Sequence, residues 1–592
     1  MPSRYENSLE HVLDELARID LLIRTRVLKL RMVDPRGPDE FRGLYISEEE
    51  IDALLASGEG PRGDASHPQL RHMMEAAQAL EVQIIARKAA SLKSGLVLRL
   101  EQLTSLFGLS PFELEVLLIS LAPEVDLRYE RLYSYLQNDV TKKRPSVDLV
   151  LNLLCPSFQS RLEARRCFGP HSPLVSWHLL RLFEDPPGRQ APLLGRFLKV
   201  DERIVDYLLD WDEIDARLSS FAHMICPQAL MEELILEAGI KKRLMQLARR
   251  RVVFFFQGGY GVGKKRTAEA LCKEMRRGLL VADLARVLKG DLPFETALRL
   301  SFREALLQDS ALYWEHFDLL LDEGQTTLRH IMGRELAARP VLAFLAGERP
   351  WEPVGALHEV PFVRVEFPIP SYEARKRLWE LHLDGRFPTV GNMDTGALAN
   401  KFRLTGGQIG DAVAMARNLA LARGEEPITL ADLYEASRAH SNQRLSHLAR
   451  KIPPHYTWAD IVLPPDEMRR LREIVNYVKY RPLVYGDWGF DRKLALSKGL
   501  NALFTGPPGT GKTMVAEIVA NELGLDLYKI DLSMVVSKYI GETEKNLNRV
   551  FKEAETSNSI LFFDEADALL GKRSEVRDSH DRYANIEIAY LL

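Results

Sequence analysis

The sequence predicts an α/β protein in which a mainly α-helical N-terminal region precedes two modules of parallel sheet with flanking helices, the first carrying a helical lid. Three observations carry that expectation. From residue 222 onward strands alternate with helices, the signature of parallel strands joined by crossover helices. An apolar run leading into a glycine cluster occurs twice, beginning near Val252 and near Gly499, with Lys264 and Lys512 at equivalent positions. The length, 592 residues, is several times that of a single domain, about 100–200 residues. The expected division is 1–222 for the N-terminal region, 223–370 for the first large subdomain and 371–450 for its helical lid. A stiff linker with Pro453 and Pro454 follows at 451–457, then a second, incomplete large subdomain at 458–592.

Composition narrows the functional classes. Hydrophobic residues make up 46% of the chain, normal for large buried cores, and 79 basic against 83 acidic residues leave a formal net charge of −4. That balance gives no support for nucleic acid as the main partner. Cys155, Cys167, Cys226 and Cys272 show no C-x-x-C pairing, so neither a zinc site nor a disulfide scaffold is suggested, and small buried side chains in a reducing compartment is the reading. No stretch approaches the ~20 apolar residues that span a bilayer. The first thirty residues carry acids and arginines throughout, unlike a secretory signal. The expected location is cytoplasmic, with no membrane contact.

In the N-terminal region, Leu9, Val12, Leu13, Leu16, Ile19 and Leu22 recur at helical spacing and predict an amphipathic helix over 8–32. Gly/Pro-rich loops follow at 33–43 and 57–68, then a long helix over 70–106. Ser110, Pro111 and Glu113 form a helix-start signature, ahead of a stripe of Leu114, Leu117, Leu118 and Leu121. Further helices are expected at 128–138 and 146–154, and an acidic helical stretch ending near Ala222. Short helices with brief extended links suggest a winged-helix-like unit. Such units often bind DNA, but residues 1–222 hold 28 basic against 34 acidic residues, a net of −6 that repels phosphate. Protein contacts, or packing against the rest of the chain, are favoured.

The second glycine cluster reads Gly506-Pro507-Pro508-Gly509-Thr510-Gly511-Lys512-Thr513 and fits G-x-x-x-x-G-K-[ST] at every position. Glycines let backbone N–H groups converge on phosphate oxygens, helped by the positive end of the helix that Met514 continues. Lys512 supplies a cation for the β and γ phosphates, and the Thr513 hydroxyl is a Mg²⁺ ligand. Downstream, Ile560-Leu561-Phe562-Phe563-Asp564-Glu565 ends an apolar strand in two acids. Asp564 is placed to hold Mg²⁺, usually through water, and Glu565 to orient the attacking water. Between them, Ser537-Lys538-Tyr539-Ile540-Gly541-Glu542 places an aromatic and a β-branched residue before a glycine, either a gripping loop or a turn with a half-buried tyrosine.

Together these residues resemble the AAA family of ATPases, specifically its tandem-module protein remodellers, so the two modules are expected to be AAA modules. The resemblance covers roughly 222–592. It makes the 506–513 loop the Walker A motif, the 560–565 segment the Walker B motif, and Lys538, Tyr539, Ile540 and Gly541 a pore loop. Trp458-Ala459-Asp460-Ile461 resembles the segment that lines the adenine pocket. The resemblance implies ATP and Mg²⁺ as cofactors, self-association into a ring, usually a hexamer, and a polypeptide substrate pulled by Tyr539. The N-terminal region resembles the extension of a bacterial subgroup, some members of which are encoded beside phage-tail-like contractile injection systems.

The first module departs from this pattern. Its loop reads Gly258-Gly259-Tyr260-Gly261-Val262-Gly263-Lys264-Lys265, so Lys265 replaces the metal-binding hydroxyl. Its strand ends Leu312-Tyr313-Trp314-Glu315-His316, with His316, which carries no negative charge, in place of the catalytic glutamate. Glu348 stands where the family has an asparagine, and Asp291 stands at the pore-loop position. This module is expected not to hydrolyse ATP; it either binds nucleotide weakly through Gly261, Gly263 and Lys264 or serves only to assemble the ring. Thr405-Gly406-Gly407-Gln408-Ile409 resembles the start of the lid helix. The second module ends at Leu592, within a helical pattern beginning near Asn585 and short of the next strand, the sensor asparagine, the trans-acting arginines and a lid. The chain is therefore expected to be a fragment or truncation with little turnover of its own. Competing readings are a DNA-associated ATPase of the helicase-loader type and an ATP-dependent assembly factor for a large complex.

Overall fold

The computed structural model describes residues 4–33, 68–185, 188, 190–339, 341–353, 357, 360–383, 393–424, 427–441, 449–482, 500–530 and 559–564, with 547, 550, 551, 554 and 566. The chain divides into two compact units, Met1–Phe256 with Lys265–Val365, and Gln257–Lys264 with Glu366–Leu592.

In the first unit, α1 (Ser8–Val33) packs on α2 (Pro68–Lys93). Val12, Leu16, Ile19 and Ile23 form the buried stripe of α1, whereas Leu13, counted in that stripe by periodicity, is exposed. The helix expected over 70–106 is two helices, α2 and α3 (Arg99–Phe107). Gly95 breaks it: its φ is +82°, and the amides of Gly95 and Leu96 close back on Leu92 and Ser91 carbonyls at 3.1 Å, a left-handed helix end that favours glycine. α4 (Pro111–Val125) begins at the expected capping box. Glu113 Oε2 accepts the Ser110 N–H at 3.0 Å, and Ser110 Oγ accepts the Glu113 N–H at 3.3 Å. Residues 116–122 of α4 are fully buried, so it is the central helix of this core rather than an amphipathic surface one. α5 (Arg128–Leu136), α6 (Val147–Leu154) and α7 (Phe158–Ala164) lead into an antiparallel hairpin of β1 (Leu180–Phe183) and β2 (Phe197–Val200), to which Ser146 adds a bridge at Phe197. Short helices capped by a small antiparallel wing make this a winged-helix region. α8 (Glu202–Leu208) follows.

A six-stranded sheet comes next, in the order β3-β5-β6-β7-β4-β8. Its strands are β3 (Ala222–Ile225), β4 (Val253–Gln257), β5 (Gly278–Asp283), β6 (Ser310–Glu315), β7 (Ala343–Gly347) and β8 (Phe362–Glu366). β5, β6 and β7 run parallel, and residues 253–256 of β4 are at most 1% exposed, as strands covered on both faces must be. The helices are α9 (Ala238–Ala248), α10 (Lys264–Glu274), α11 (Phe294–Leu307) and α12 (Thr326–Ala338). β3 runs antiparallel to β5 and crosses the expected boundary at 222. The alternation of strands and helices did not announce it, because an edge strand is recruited by its neighbour.

The winged-helix region is joined to this sheet's helices by buried charge. Arg203 of α8 donates through Nε and Nη2 to Glu304 of α11 at 3.0–3.1 Å, with the two side chains 3% and 0% exposed. Arg303 bonds Asp201 at 3.1 Å, Asp215 at 2.6 Å and the His178 carbonyl. Arg339 lies over the Trp177 ring, 3.8 Å from its centroid, and Leu307 of α11 belongs to the N-terminal core. Charges this deep hold only while each is paired.

The second unit contains a lid of α13 (Tyr372–Leu383), α14 (Thr395–Lys401), α15 (Gly406–Ala422) and α16 (Leu430–Ser441), packed around Trp379, Leu398, Ile409 and Leu433. It also contains β9 (Ala449–Ile452), α17 (Pro465–Pro482), α18 (Lys512–Leu523), β10 (Leu527–Ile530) and β11 (Ile560–Phe563). β10 is parallel to β11 and antiparallel to β9. Two expectations change here. The stiff linker at 451–457 begins inside β9, which pairs with β10 as β3 pairs with β5. Residues 500–505, expected as a strand, are in no strand, and Leu503 is 72% exposed. β4, their counterpart, lies between β7 and β8; no described strand pairs with 500–505, and a strand exists only in a ladder.

Candidate functional site

The two glycine loops share one backbone shape. Gly506, Gly509 and Gly511 have φ of +157°, +78° and +86°; Gly258, Gly261 and Gly263 have +156°, +74° and +98°. Left-handed angles at the same three positions explain the glycine spacing. A Cβ at Gly509 or Gly511 would meet nothing within 4 Å, so these two serve conformation and not packing. Each loop runs into a helix of 11 or 12 residues, which turns amide groups and the positive helix end toward whatever the loop holds. The lysines fold alike: Lys512 Nζ donates to the Gly506 and Pro507 carbonyls at 2.9 Å, and Lys264 Nζ to those of Gly258 and Gly259. Thr510 Oγ1 braces the second loop on the Pro507 carbonyl at 2.9 Å. Thr513 is exposed in the first turn of α18, and Met514 packs against the second module's core.

Asp564 follows the end of β11, where its Oδ2 accepts from Lys529 Nζ at 2.6 Å. Sequence reasoning missed Lys529. Its signal was a lone lysine in the otherwise apolar strand Leu527-Tyr528-Lys529-Ile530. Glu565 and the pore-loop residues Lys538, Tyr539, Ile540 and Gly541 lie outside the described residues. The Thr457 amide and hydroxyl donate to Asp460 Oδ2 at 2.7 and 2.8 Å, and these bonds, the amide's first, hold the Asp460 carboxyl below its usual range. Ile461 is buried against Val515, Ile518 and Val519, which fixes this segment to the helix behind the loop.

The first module answers the same positions differently. Lys265 Nζ sits 3.3 Å from Glu315 Oε1, so the residue in the hydroxyl's place is paired with the acid in Asp564's place. His316 has φ +60°, and its Nε2 is 3.9 Å from Asp283 Oδ1. The Glu348 amide donates to Asp318 Oδ2 at 2.7 Å, and Asp291 is exposed. Within the second unit, the Gly407 amide donates to the Gly261 carbonyl at 2.9 Å and the Tyr260 hydroxyl to Asp411 Oδ2 at 3.0 Å. A Cβ on Gly407 would lie 2.6 Å from Gly261 Cα, so both positions need glycine. Thr405 caps α15 in a capping box with Gln408, at the lid-helix start that the resemblance implies. These contacts group residues 257–264 with the lid and not with the subdomain expected at 223–370.

A hydroxyl and a carboxylate are the hard oxygen donors that Mg²⁺ takes alongside phosphate oxygens, so Thr513 and Asp564 fit that ion. Among the described residues no three His, Cys, Asp or Glu side chains gather to hold a metal ion. An ammonium at Lys265 does not fit a metal.

Comparison with known proteins matches residues 1–222 to a family described as "Winged helix domain, variant" and residues 502–588 to "ATPase family associated with various cellular activities (AAA)". The chain is 33% identical over 144 residues to the Cell division cycle protein 48 homolog of Archaeoglobus fulgidus, a match covering 24% of the chain and 19% of that relative. It is 34% identical over 187 residues to the uncharacterized AAA family ATPase y4kL of Sinorhizobium fredii, covering 29% and 53%. To the ATPase family gene 2 protein of Schizosaccharomyces pombe it is 27% identical over 352 residues, covering 54% and 42%. Each match thus takes in less than two-thirds of the relative's length.

Proposed function

The chain carries a winged helix domain followed by an AAA ATPase domain, and we propose that its second module hydrolyses ATP to remodel, unfold or disassemble protein substrates while its first module is catalytically inactive. The observation that carries this reading is the residue after each loop lysine: in the first module the ammonium of Lys265, paired with the strand-end acid Glu315, and in the second the exposed hydroxyl of Thr513, with the strand-end acid Asp564 paired instead with Lys529 of the neighbouring strand. In the second module the amides of residues 506–511 and Lys512 bind the phosphates, with Asp460 and Ile461 beside the base. Mg²⁺, when bound, supplies positive charge to the β and γ phosphates, and Thr513 and Asp564 are the residues that would hold it. Glu565 aligns water for in-line attack on the γ-phosphate.

Subunits assemble into a ring, a hexamer by family resemblance, with Tyr539 gripping polypeptide in the pore. The acidic winged-helix region argues for protein rather than nucleic-acid contacts. No described helix is long and apolar enough to cross a membrane, and cytoplasmic action is part of this proposal. Glu565→Gln tests it: the variant should retain bound ATP and lose turnover, and undiminished phosphate release would refute the assignment.

A further inference from the structure

In both modules a lysine pairs with the acid at the end of the strand, but from different elements. In the first it is Lys265, on α10 directly after the loop. In the second it is Lys529, on the neighbouring strand. The parallel register explains the reach: Lys529 lies beside Phe562, so Asp564 comes two residues further along, just past β11, within the span of a lysine side chain. The residues flanking Lys529, Tyr528 and Ile530, are each 1% exposed, while the side chains of Lys529 and Asp564 are 41% and 42% exposed. The strand's packing does not call for a charge there. The equivalent position of β5, beside Tyr313 in the same register, is the buried Val281.

We propose that Lys529 is a positioning residue of the second site, holding Asp564 by Oδ2 and setting the Mg²⁺ concentration at which the site takes up nucleotide with its metal. The inference rests on reading Thr513 and Asp564 as the metal-holding pair. Two effects oppose each other. The ammonium restrains the carboxylate, which favours metal binding, but a half-exposed ion pair contributes little order. It also repels a divalent ion drawn to the same carboxylate. At such separations that repulsion, screened by solvent, is worth about three- to tenfold in affinity. Repulsion wins, so the lysine raises the Mg²⁺ requirement of the second site. The first module is its extreme case, in which the cation occupies the hydroxyl's own position.

The test is fluorescence of mant-ATP bound to the purified protein, titrated with Mg²⁺ from an EDTA-buffered start. Lys529→Met should lower the half-saturating Mg²⁺ concentration by about three- to tenfold, with the thermal midpoint unchanged. Lys529→Gln should do the same, and serves if the methionine variant folds poorly. Lys529→Arg should stay within about twofold of the parent, because it keeps the charge. An unchanged or raised Mg²⁺ requirement in folded Met and Gln variants overturns the proposal. Thr513→Ala and Asp564→Asn separate the two readings. If neither alters the Mg²⁺ dependence, the metal-site reading itself fails; if they abolish it while the Lys529 variants leave it unmoved, only the role of Lys529 falls.

Discussion

At their three glycines the two loops differ by at most 12° in φ, and their lysines fold onto the same pair of carbonyls, yet one residue later Thr513 stands in one and Lys265 in the other. The cradle and the chemistry are therefore separable. In the first module the loop shape has a structural task, since Gly261 meets Gly407 of the lid helix backbone to backbone and tolerates no side chain. That demand accounts for glycine at 261 whether or not a phosphate binds. A hydroxyl and a second acid have no such packing task and serve a metal and a water. The first module also seats the winged-helix region through buried charges on α11, so its structural work extends beyond the loop.

The contrast can be broken most directly at the loop lysines. Lys512→Ala should cut ATP turnover at least about a hundredfold, as loss of a preorganised charge at a transferring phosphate does. Lys264→Ala should leave turnover within about twofold. Equal losses, measured as phosphate release, would erase the asymmetry. Next in size is the seat of the winged-helix region. Glu304→Ala strands Arg203 in a site where its side chain is 3% exposed and should cost about 3–5 kcal/mol in denaturant unfolding. Replacing both partners, Arg203→Met with Glu304→Leu, should recover most of it.

The same seat should weaken in acid. Burial, then Arg303, Arg299 and Arg217, push the His178 imidazole down to about 4. Its folded pKa lies below the unfolded value, so the unfolded chain binds more protons between the two. Stability is full above the unfolded value near 6.5 and is lost as pH falls toward 4, with about 2 kcal/mol gone by pH 5. Denaturant unfolding at pH 7.5 and pH 5 should show that loss, and His178→Gln should flatten it. The smallest effect sharpens the comparison from the other side. Lys265→Thr removes a partly exposed pair and should change stability by less than about 1 kcal/mol. It should confer no turnover on the first module, because His316 still occupies the glutamate's place; ATPase gained in a Lys512→Ala background would contradict this.

What could be read along the chain and what could not divide by distance. The capping box at Ser110 and the glycine spacing of both loops were legible, because each is satisfied within a few residues by its own backbone. The break at Gly95 was readable in principle, but apolar periodicity on both sides masked it. The Arg203–Glu304 pair joins residues 101 positions apart, and no local pattern marks either one. β3 and β9 are short and irregular in pattern, and exist as strands because β5 and β10 offer an open edge. Lys529 looked like an exception within a strand until the register with β11 set it beside Asp564.

By itself the order of residues determined that this protein has two phosphate-type loops, that only the later one keeps a hydroxyl after its lysine, and that a helical, acidic region comes first. Left-handed backbone angles, helix caps and the choice between a hydroxyl and an ammonium are properties of single residues and near neighbours. Tertiary structure alone decided which lysine neutralises which strand-end acid, that the first loop is clasped to its lid, and that the winged-helix region is seated on α11 by buried ion pairs. Those depend on strand register and on desolvating charges against one another, and both arise only when distant segments pack.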